Sequence, residues 1–163
     1  MLLTASQISE LTNKKRLIYG YPNFSAQIQP VGFDLTLSQV KEIPYGGSVV
    51  NISDAKTVWE TLRIWPLDIP LNQGKSYVFI TNESVKLPRN ITALAFPRSS
   101  LTRLGTLLSS GIIDPGYEGP LSFSVFAGVN LKVAKGDRFA QIVFTTHPET
   151  VAYGGQYGVK KKK

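Results

Sequence analysis

Ile91-Thr92-Ala93-Leu94-Ala95-Phe96-Pro97-Arg98-Ser99-Ser100-Leu101-Thr102-Arg103-Leu104-Gly105 runs from an apolar stretch straight into a polar cluster. The apolar part, Ile91 to Phe96, is short and closed by a proline, so it reads as a β-strand. The cluster that follows then sits at the end of that strand, facing outward. An arginine offers a rigid fork of donors matched to phosphate oxygens, and a serine offers a compact donor that fits between them. Phosphate recognition is one reading of the segment. A surface arginine beside a serine-rich turn is the other.

Outward from this stretch the same texture repeats. Val31 to Leu37, Leu62 to Ile64, Tyr77 to Thr81, Leu121 to Phe126 and Phe139 to Thr145 are short runs rich in Val, Ile, Phe, Tyr and Thr. Turn punctuation separates them at Pro44-Tyr45-Gly46-Gly47, Asn72-Gln73-Gly74-Lys75, Pro88-Arg89-Asn90 and Lys135-Gly136-Asp137. Many short strands at this spacing imply an all-β sandwich or barrel-like fold. One helix stands in front of it: Ile8, Leu11 and Lys15 fall at helical spacing up to about Arg16, with Thr4 or Ser6 as N-cap. The expectation is a single domain over 1–158 and a basic tail over 159–163.

Composition removes several kinds of chemistry. With 163 residues the chain can bury a real core, and 42% hydrophobic with 18% charged residues suits a soluble globular protein. No apolar run approaches the ~20 residues of a membrane helix, and Met1 to Ser6 lacks a secretory core, so a cytoplasmic protein without a membrane partner is expected. There is no cysteine and one histidine, His147. Thiolate catalysis, Cys-ligated zinc and a His-rich metal site are therefore out of reach. Carboxylates, Arg/Lys, hydroxyls and a hard cation held by oxygens remain. The net charge is +7, but Lys160 to Lys163 carry four of those charges and leave a mild +3 for the body. That distribution speaks against a specific nucleic-acid partner.

Several polar groups interrupt apolar runs beside a glycine or proline. Gly32-Phe33-Asp34-Leu35 puts a carboxylate inside a strand, where an ionised Asp is costly unless paired or hydrogen-bonded. Gly111-Ile112-Ile113-Asp114-Pro115-Gly116-Tyr117-Glu118-Gly119 leads into a Pro-Gly turn and suggests a β-hairpin with Asp114 and Tyr117 at its mouth. Gly136-Asp137-Arg138-Phe139-Ala140-Gln141 opens a late strand with an Asp-Arg turn. Tyr153-Gly154-Gly155-Gln156-Tyr157-Gly158 is an aromatic and glycine segment able to fold over a ligand as a lid. Singly, each also has a plain reading: a capping Asp34, an ordinary Asp114 turn, an Asp137–Arg138 surface ion pair.

Taken in order, these segments resemble the five motifs of the family that contains the deoxyuridine triphosphatases (dUTPases) and dCTP deaminases. Gly32 to Leu35 is similar to the first, Pro97 to Leu101 to the second, Gly111 to Gly119 to the third, Gly136 to Gln141 to the fourth, and Tyr153 to Gly158 to a variant of the glycine-rich fifth. The resemblance implies a distorted β-barrel or jelly-roll subunit in a homotrimer with shared active sites. It also separates two activities. Deaminases of the family carry a Glu ten positions beyond the third motif's Asp; counted from Asp114, that position is Ser124, and a serine is no general base near neutral pH.

The resemblance therefore implies a dUTP diphosphatase using Mg²⁺, which releases dUMP and pyrophosphate. In its terms Asp114 holds the attacking water and reads the 3′-hydroxyl, and Tyr117 packs on the deoxyribose. Arg98, Ser99 and Gln141 are the phosphate ligands, and Ser100 and Arg103 belong to the substrate-binding set. Backbone groups around Ile113 read uracil, Tyr153, Gln156 and Tyr157 cover the nucleotide, and Asp34 positions Mg²⁺ through water. Arg103 with the following Leu-Gly is closer to the deaminase branch. A dCTP deaminase, bifunctional or not, and a non-catalytic nucleotide-binding regulator are the alternatives.

Overall fold

The computed structural model describes residues 1–43, 62–67, 69–109, 111–155 and 157–158. The turn expected at Pro44 to Gly47, together with Gln156 and Lys160 to Lys163, lies outside them. Leu3 is tied to Phe144 O by its backbone N–H, at 2.9 Å. Helix α1 (Ala5–Lys15) follows, capped by Thr4, whose hydroxyl and backbone N–H pair reciprocally with Gln7. It stops at Arg16, which takes the left-handed conformation (φ 55°), with Lys14 and Lys15 in the last turn. Strands β1 (Ile18–Tyr19) and β2 (Ile28–Gln29) flank a single turn of helix, α2 (Phe24–Gln27).

The body is mostly β, as its apolar runs imply; most strands run longer than those runs, but the run Leu62 to Ile64 yields only a two-residue strand, Ile64–Trp65. The strands of the body are β3 (Gly32–Glu42), β4 (Ile64–Trp65), β5 (Ser76–Lys86), β6 (Ile91–Pro97), β7 (Leu107–Leu108), β8 (Ile112–Ile113), β9 (Glu118–Phe126) and β10 (Arg138–Thr146). One turn of helix, α3 (Ser99–Thr102), follows β6. All described pairings are antiparallel, in the spatial order β7-β9-β5-β3-β10-β6-β8.

Strand β3 gives the sheet its curl. Its first half, Phe33 to Thr36, pairs with β10, and its second half, Leu37 to Glu42, pairs with β5, with a register shift between Leu37 and Gln39. A bulge of this kind bends the strand and lets one continuous sheet fold back on itself. The two halves then meet over one core, where Phe139 of β10 lies edge-on to Phe79 of β5 (5.3 Å) and Phe123 of β9 (5.9 Å). Because Tyr21 and Phe24 stack against Phe33 from outside, β3 is buried on both faces from Gly32 to Leu37. That is where Asp34 sits.

One expectation fails here. The residues around Asp114 do not form a hairpin. β8 pairs with β6, whereas β9 pairs with β5 and β7. The turn between them is a corner that carries the chain from one half of the sheet to the other. Among the described residues no helix is long and apolar enough to cross a membrane.

Candidate active site

The corner is closed by a hydrogen bond from Tyr117 N–H to Asp114 O at 3.1 Å. Pro115 and Gly116 (φ 82°) suit a type II turn, which needs a positive φ at its third residue. Asp114 is exposed at this turn. Among the described residues no hydrogen bond or ion pair engages its carboxylate. Tyr117 is more constrained: its hydroxyl donates to Pro120 O at 2.6 Å, and burial, reinforced by Tyr153 and Tyr19, pushes its phenol up to about 12. Asp114 and Tyr117 share a cavity of about 220 Å³ with Ile112, Ile113, Ser122, Tyr153 and Tyr157. The expected grouping of Asp114, Ile113, Tyr117, Tyr153 and Tyr157 is thus brought together in space.

The segment after His147 folds onto the corner. Tyr153 N–H donates to Pro115 O at 2.6 Å, and its ring lies edge-on to Tyr117 with centroids 5.4 Å apart. Tyr157 N–H in turn donates to the Tyr153 hydroxyl at 3.2 Å. A side chain at Gly116 would come within 2.7 Å of Ala152 Cβ. The two glycine-bearing segments therefore fit each other closely.

A second cluster gathers the other expected residues. Asp34, with a side chain 3% exposed, receives Arg138 Nη1 at 3.3 Å, Gln29 Nε2 at 3.4 Å and Arg98 Nε at 3.5 Å, all on Oδ2. Burial raises its carboxyl above the ordinary range, and Arg98 and Arg138 oppose that rise. The partner that a buried Asp34 requires is thus a pair of guanidiniums. Gln141 stands directly opposite Asp34 in the β3–β10 ladder, and its amide lies across Gly32, where a Cβ would be 2.9 Å from Nε2. Arg98, Ser100 and Arg138 line a cavity of about 370 Å³ whose floor includes Leu101, Val133 and Phe139.

Arg138 was legible only as half of an Asp137–Arg138 surface pair, and that pair is not formed. Asp137 Oδ2 accepts from Ala134 N–H at 2.7 Å and shapes the turn, which frees Arg138 for Asp34 and for Ala26 O. Ser99 and Arg103 are exposed at the two ends of α3, and Arg103 lines none of the described cavities near it. Ser122 was also not foreseen; alternation along β9 turns Ser122 and Ser124 outward together, but Ser122 is the one that reaches the Asp114 cavity. Ser124 N–H instead donates to Ser109 Oγ.

No three Asp, Glu or His side chains converge among the described residues. The donor set suits no cation caged by protein alone. It does suit a hydrated Mg²⁺ carried on phosphates, because Asp34 Oδ1 makes no hydrogen bond among the described residues and one carboxylate oxygen is enough to accept from a metal-bound water.

Comparison with known proteins gives three kinds of result. A family model described as dCTP deaminase-like matches residues 2–147. A Methanosarcina mazei protein described as a probable deoxyuridine 5′-triphosphate nucleotidohydrolase is 33% identical over 167 aligned positions, covering 96% of this chain and 95% of its own. The deoxyuridine 5′-triphosphate nucleotidohydrolase of Methanocaldococcus jannaschii is 32% identical, over 72% of this chain and 78% of its own. Among solved structures, the 2′-deoxycytidine 5′-triphosphate deaminase of Agrobacterium tumefaciens superposes with a TM-score of 0.70 at 24% identity. That match covers 88% of this chain but 46% of the longer deaminase chain, and it speaks to fold alone.

Proposed function

Since the chain belongs to the dCTP deaminase-like family, we propose that within it this protein hydrolyses dUTP to dUMP and pyrophosphate. The observation that carries the choice of reaction is the outward face of β9 beside Asp114. It presents Pro120, Ser122, Ser124 and Phe126, and no carboxylate. Deamination needs an acid there to move protons at the pyrimidine ring. Glu118, the nearest acid, is turned to Lys86 at 3.4 Å. The relatives described as deoxyuridine 5′-triphosphate nucleotidohydrolases, one of them as probable, are matched over most of their length and support the same choice.

In this reading Asp114 orients a water toward the α-phosphate and takes its proton. The new bond forms from water oxygen to the α-phosphorus, and the bond from that phosphorus to the bridging oxygen of pyrophosphate breaks. Tyr117 holds the deoxyribose face, and the backbone at Ile112 and Ile113 offers edge hydrogen bonds to uracil. Arg98, Arg138 and Gln141, with Ser99 and Ser100, bind the triphosphate. Mg²⁺ bound to that triphosphate would neutralise charge, with Asp34 accepting from its hydration shell. Tyr153, Gln156 and Tyr157 cover the nucleotide.

The site is completed between copies of the chain. Asp114 and Arg98 line different cavities among those described above. The nucleoside half and the phosphate half of one chain thus each want a complement. Large apolar side chains stand exposed near both halves: Phe96 at 47%, Leu107 at 66% and Ile112 at 69%. Such a surface supports a self-association, here a homotrimer.

The test is incubation with dUTP and with dCTP, each with Mg²⁺, followed by analysis of nucleotides, pyrophosphate and ammonia. dUMP and pyrophosphate from dUTP are expected. Ammonia from dCTP would move the protein to the deaminase branch, and tight dUTP binding without turnover would make it a regulator. Asp114→Asn is expected to lower turnover by about a thousandfold or more while the oligomer persists, since the water loses both its orienting group and its base. Full activity in that variant would remove Asp114 from the role.

A further inference from the structure

Strand β5 carries a carboxylate that no part of the reaction above uses. Glu83 is 0% exposed, and among the described residues no cation lies within ion-pair distance. A carboxylate so placed is costly unless every lone pair is answered by a donor. Here the donors come from the chain segments that build the phosphate cluster. Gln27 Nε2 donates to Oε1 at 2.7 Å, the Thr36 hydroxyl donates to the same oxygen, and Thr36 N–H donates to Oε2 at 2.8 Å.

The surroundings fix which way each proton points. Asn82 Nδ2 donates to Thr36 Oγ1 at 2.9 Å, so the threonine's own proton is free for Glu83. Gln27 spends its second amide proton on Asp34 O, at 2.8 Å, and its Oε1 accepts from Asn23 N–H at 3.0 Å. One carboxylate thus holds α2 and the Asp34–Thr36 stretch of β3 through five hydrogen bonds and a single glutamine.

The place in the sheet explains why a side chain is needed. β3 changes partner from β10 to β5 just after Thr36, and β5 leaves its register with β9 between Ile80 and Ser84. There Thr36, opposite Arg138 in the β3–β10 ladder, turns its N–H to the Glu83 carboxylate, and an unmet buried N–H would be expensive. Two residues back along β3, the Asp34 carboxylate receives Arg98 and Arg138.

We propose that Glu83 is a positioning residue for the triphosphate: acting through Gln27 and Thr36, it fixes the Asp34 segment that aims Arg98 and Arg138. The proposal rests on the reading of those two arginines as phosphate ligands. It does not involve Asp114 or Tyr117, which lie in the other cavity, so its signature is selective.

The experiment is calorimetric titration of the intact oligomer with inorganic tripolyphosphate and, separately, with dUMP, whose one phosphate asks less of the guanidiniums. Two variants are compared with the parent protein. Glu83→Gln keeps the shape but replaces one acceptor oxygen by an NH₂ group that faces donors. Gln27→Met keeps the bulk and severs the link to Asp34 O, and it serves if Glu83→Gln fails to fold. Both are expected to weaken tripolyphosphate by about tenfold and dUMP by less than about twofold, the scale of one broken buried hydrogen bond acting on one ligand only. Equal weakening of both ligands would make the network merely structural, and unchanged tripolyphosphate binding would overturn the positioning role. A parent protein that binds dUMP but not tripolyphosphate would instead overturn the assignment of Arg98 and Arg138, and this proposal with it.

Discussion

Asp34 shows how one residue serves the site against the interest of the fold. Its carboxyl is raised from the ordinary value of 3.8, with burial the largest cause and the charges of Arg98 and Arg138 in opposition. A carboxyl that is raised on folding takes up its proton more readily in the native state. Its contribution to stability is complete below the unfolded value and is lost as pH rises through the folded one. Asp34→Asn abolishes that loss. In denaturant titrations from about pH 3 to about pH 6, the stability of the Asn variant relative to the parent should therefore rise with pH. A difference that falls with pH would mean that the guanidiniums outweigh burial. The same substitution removes what aims Arg98 and Arg138, so tripolyphosphate binding should weaken even where the fold gains. Opposite signs in the two measurements are what a functional buried charge produces.

At the scale of elements, Gly32 couples two strands whose paired residues the sequence leaves 102 to 109 positions apart, β3 and the β10 of Arg138 and Gln141. A Cβ on Gly32 would come 2.7 Å from Ile142 O and 2.9 Å from Gln141 Nε2. Backbone cannot yield there, so Gly32→Ala should cost about 1–3 kcal/mol in urea unfolding and push the Gln141 amide aside. The accompanying kinetic effect belongs in KM for the triphosphate; an unchanged KM would show that the amide is not a phosphate ligand. This pairing was partly legible. Val31 to Leu37 and Phe139 to Thr145 read as strands because β-branched and aromatic runs between Gly and Pro are strong signals, and the cost of burying Asp34 required some partner. Which partner was not legible, since Asp137 competes with Asp34 for its neighbour Arg138, and only the turn at Ala134 settles that contest. Two-residue strands such as Ile112–Ile113 have no period to read at all, and the Asp114 turn chemistry specifies a reversal without naming the strands on either side. Glu83 left no mark beyond a polar step in an apolar strand, because its donors arrive from 47 and 56 residues away.

At the scale of the whole molecule, the curled sheet holds the two candidate clusters on separate cavities, and that separation makes an arrangement of subunits testable. If each site joins Asp114 of one copy to Arg98 of another, then Asp114→Asn and Arg98→Ala damage different halves of the same site. Each variant alone is inactive in all of its sites. Refolded together in equal amounts, the two assort at random in a closed ring, and a site is intact when the copy giving Asp114 and the copy giving Arg98 are each the undamaged kind. Each condition holds half the time, so activity should return to about one quarter of the parent's per site. Mixing the folded homo-oligomers without unfolding should recover much less, if the exposed Phe96, Leu107 and Ile112 are what the assembly buries to hold itself together. Sedimentation gives the subunit number that the recovery is normalised to. A site contained within one chain predicts no recovery under either protocol, since no copy would then carry both an intact Asp114 and an intact Arg98.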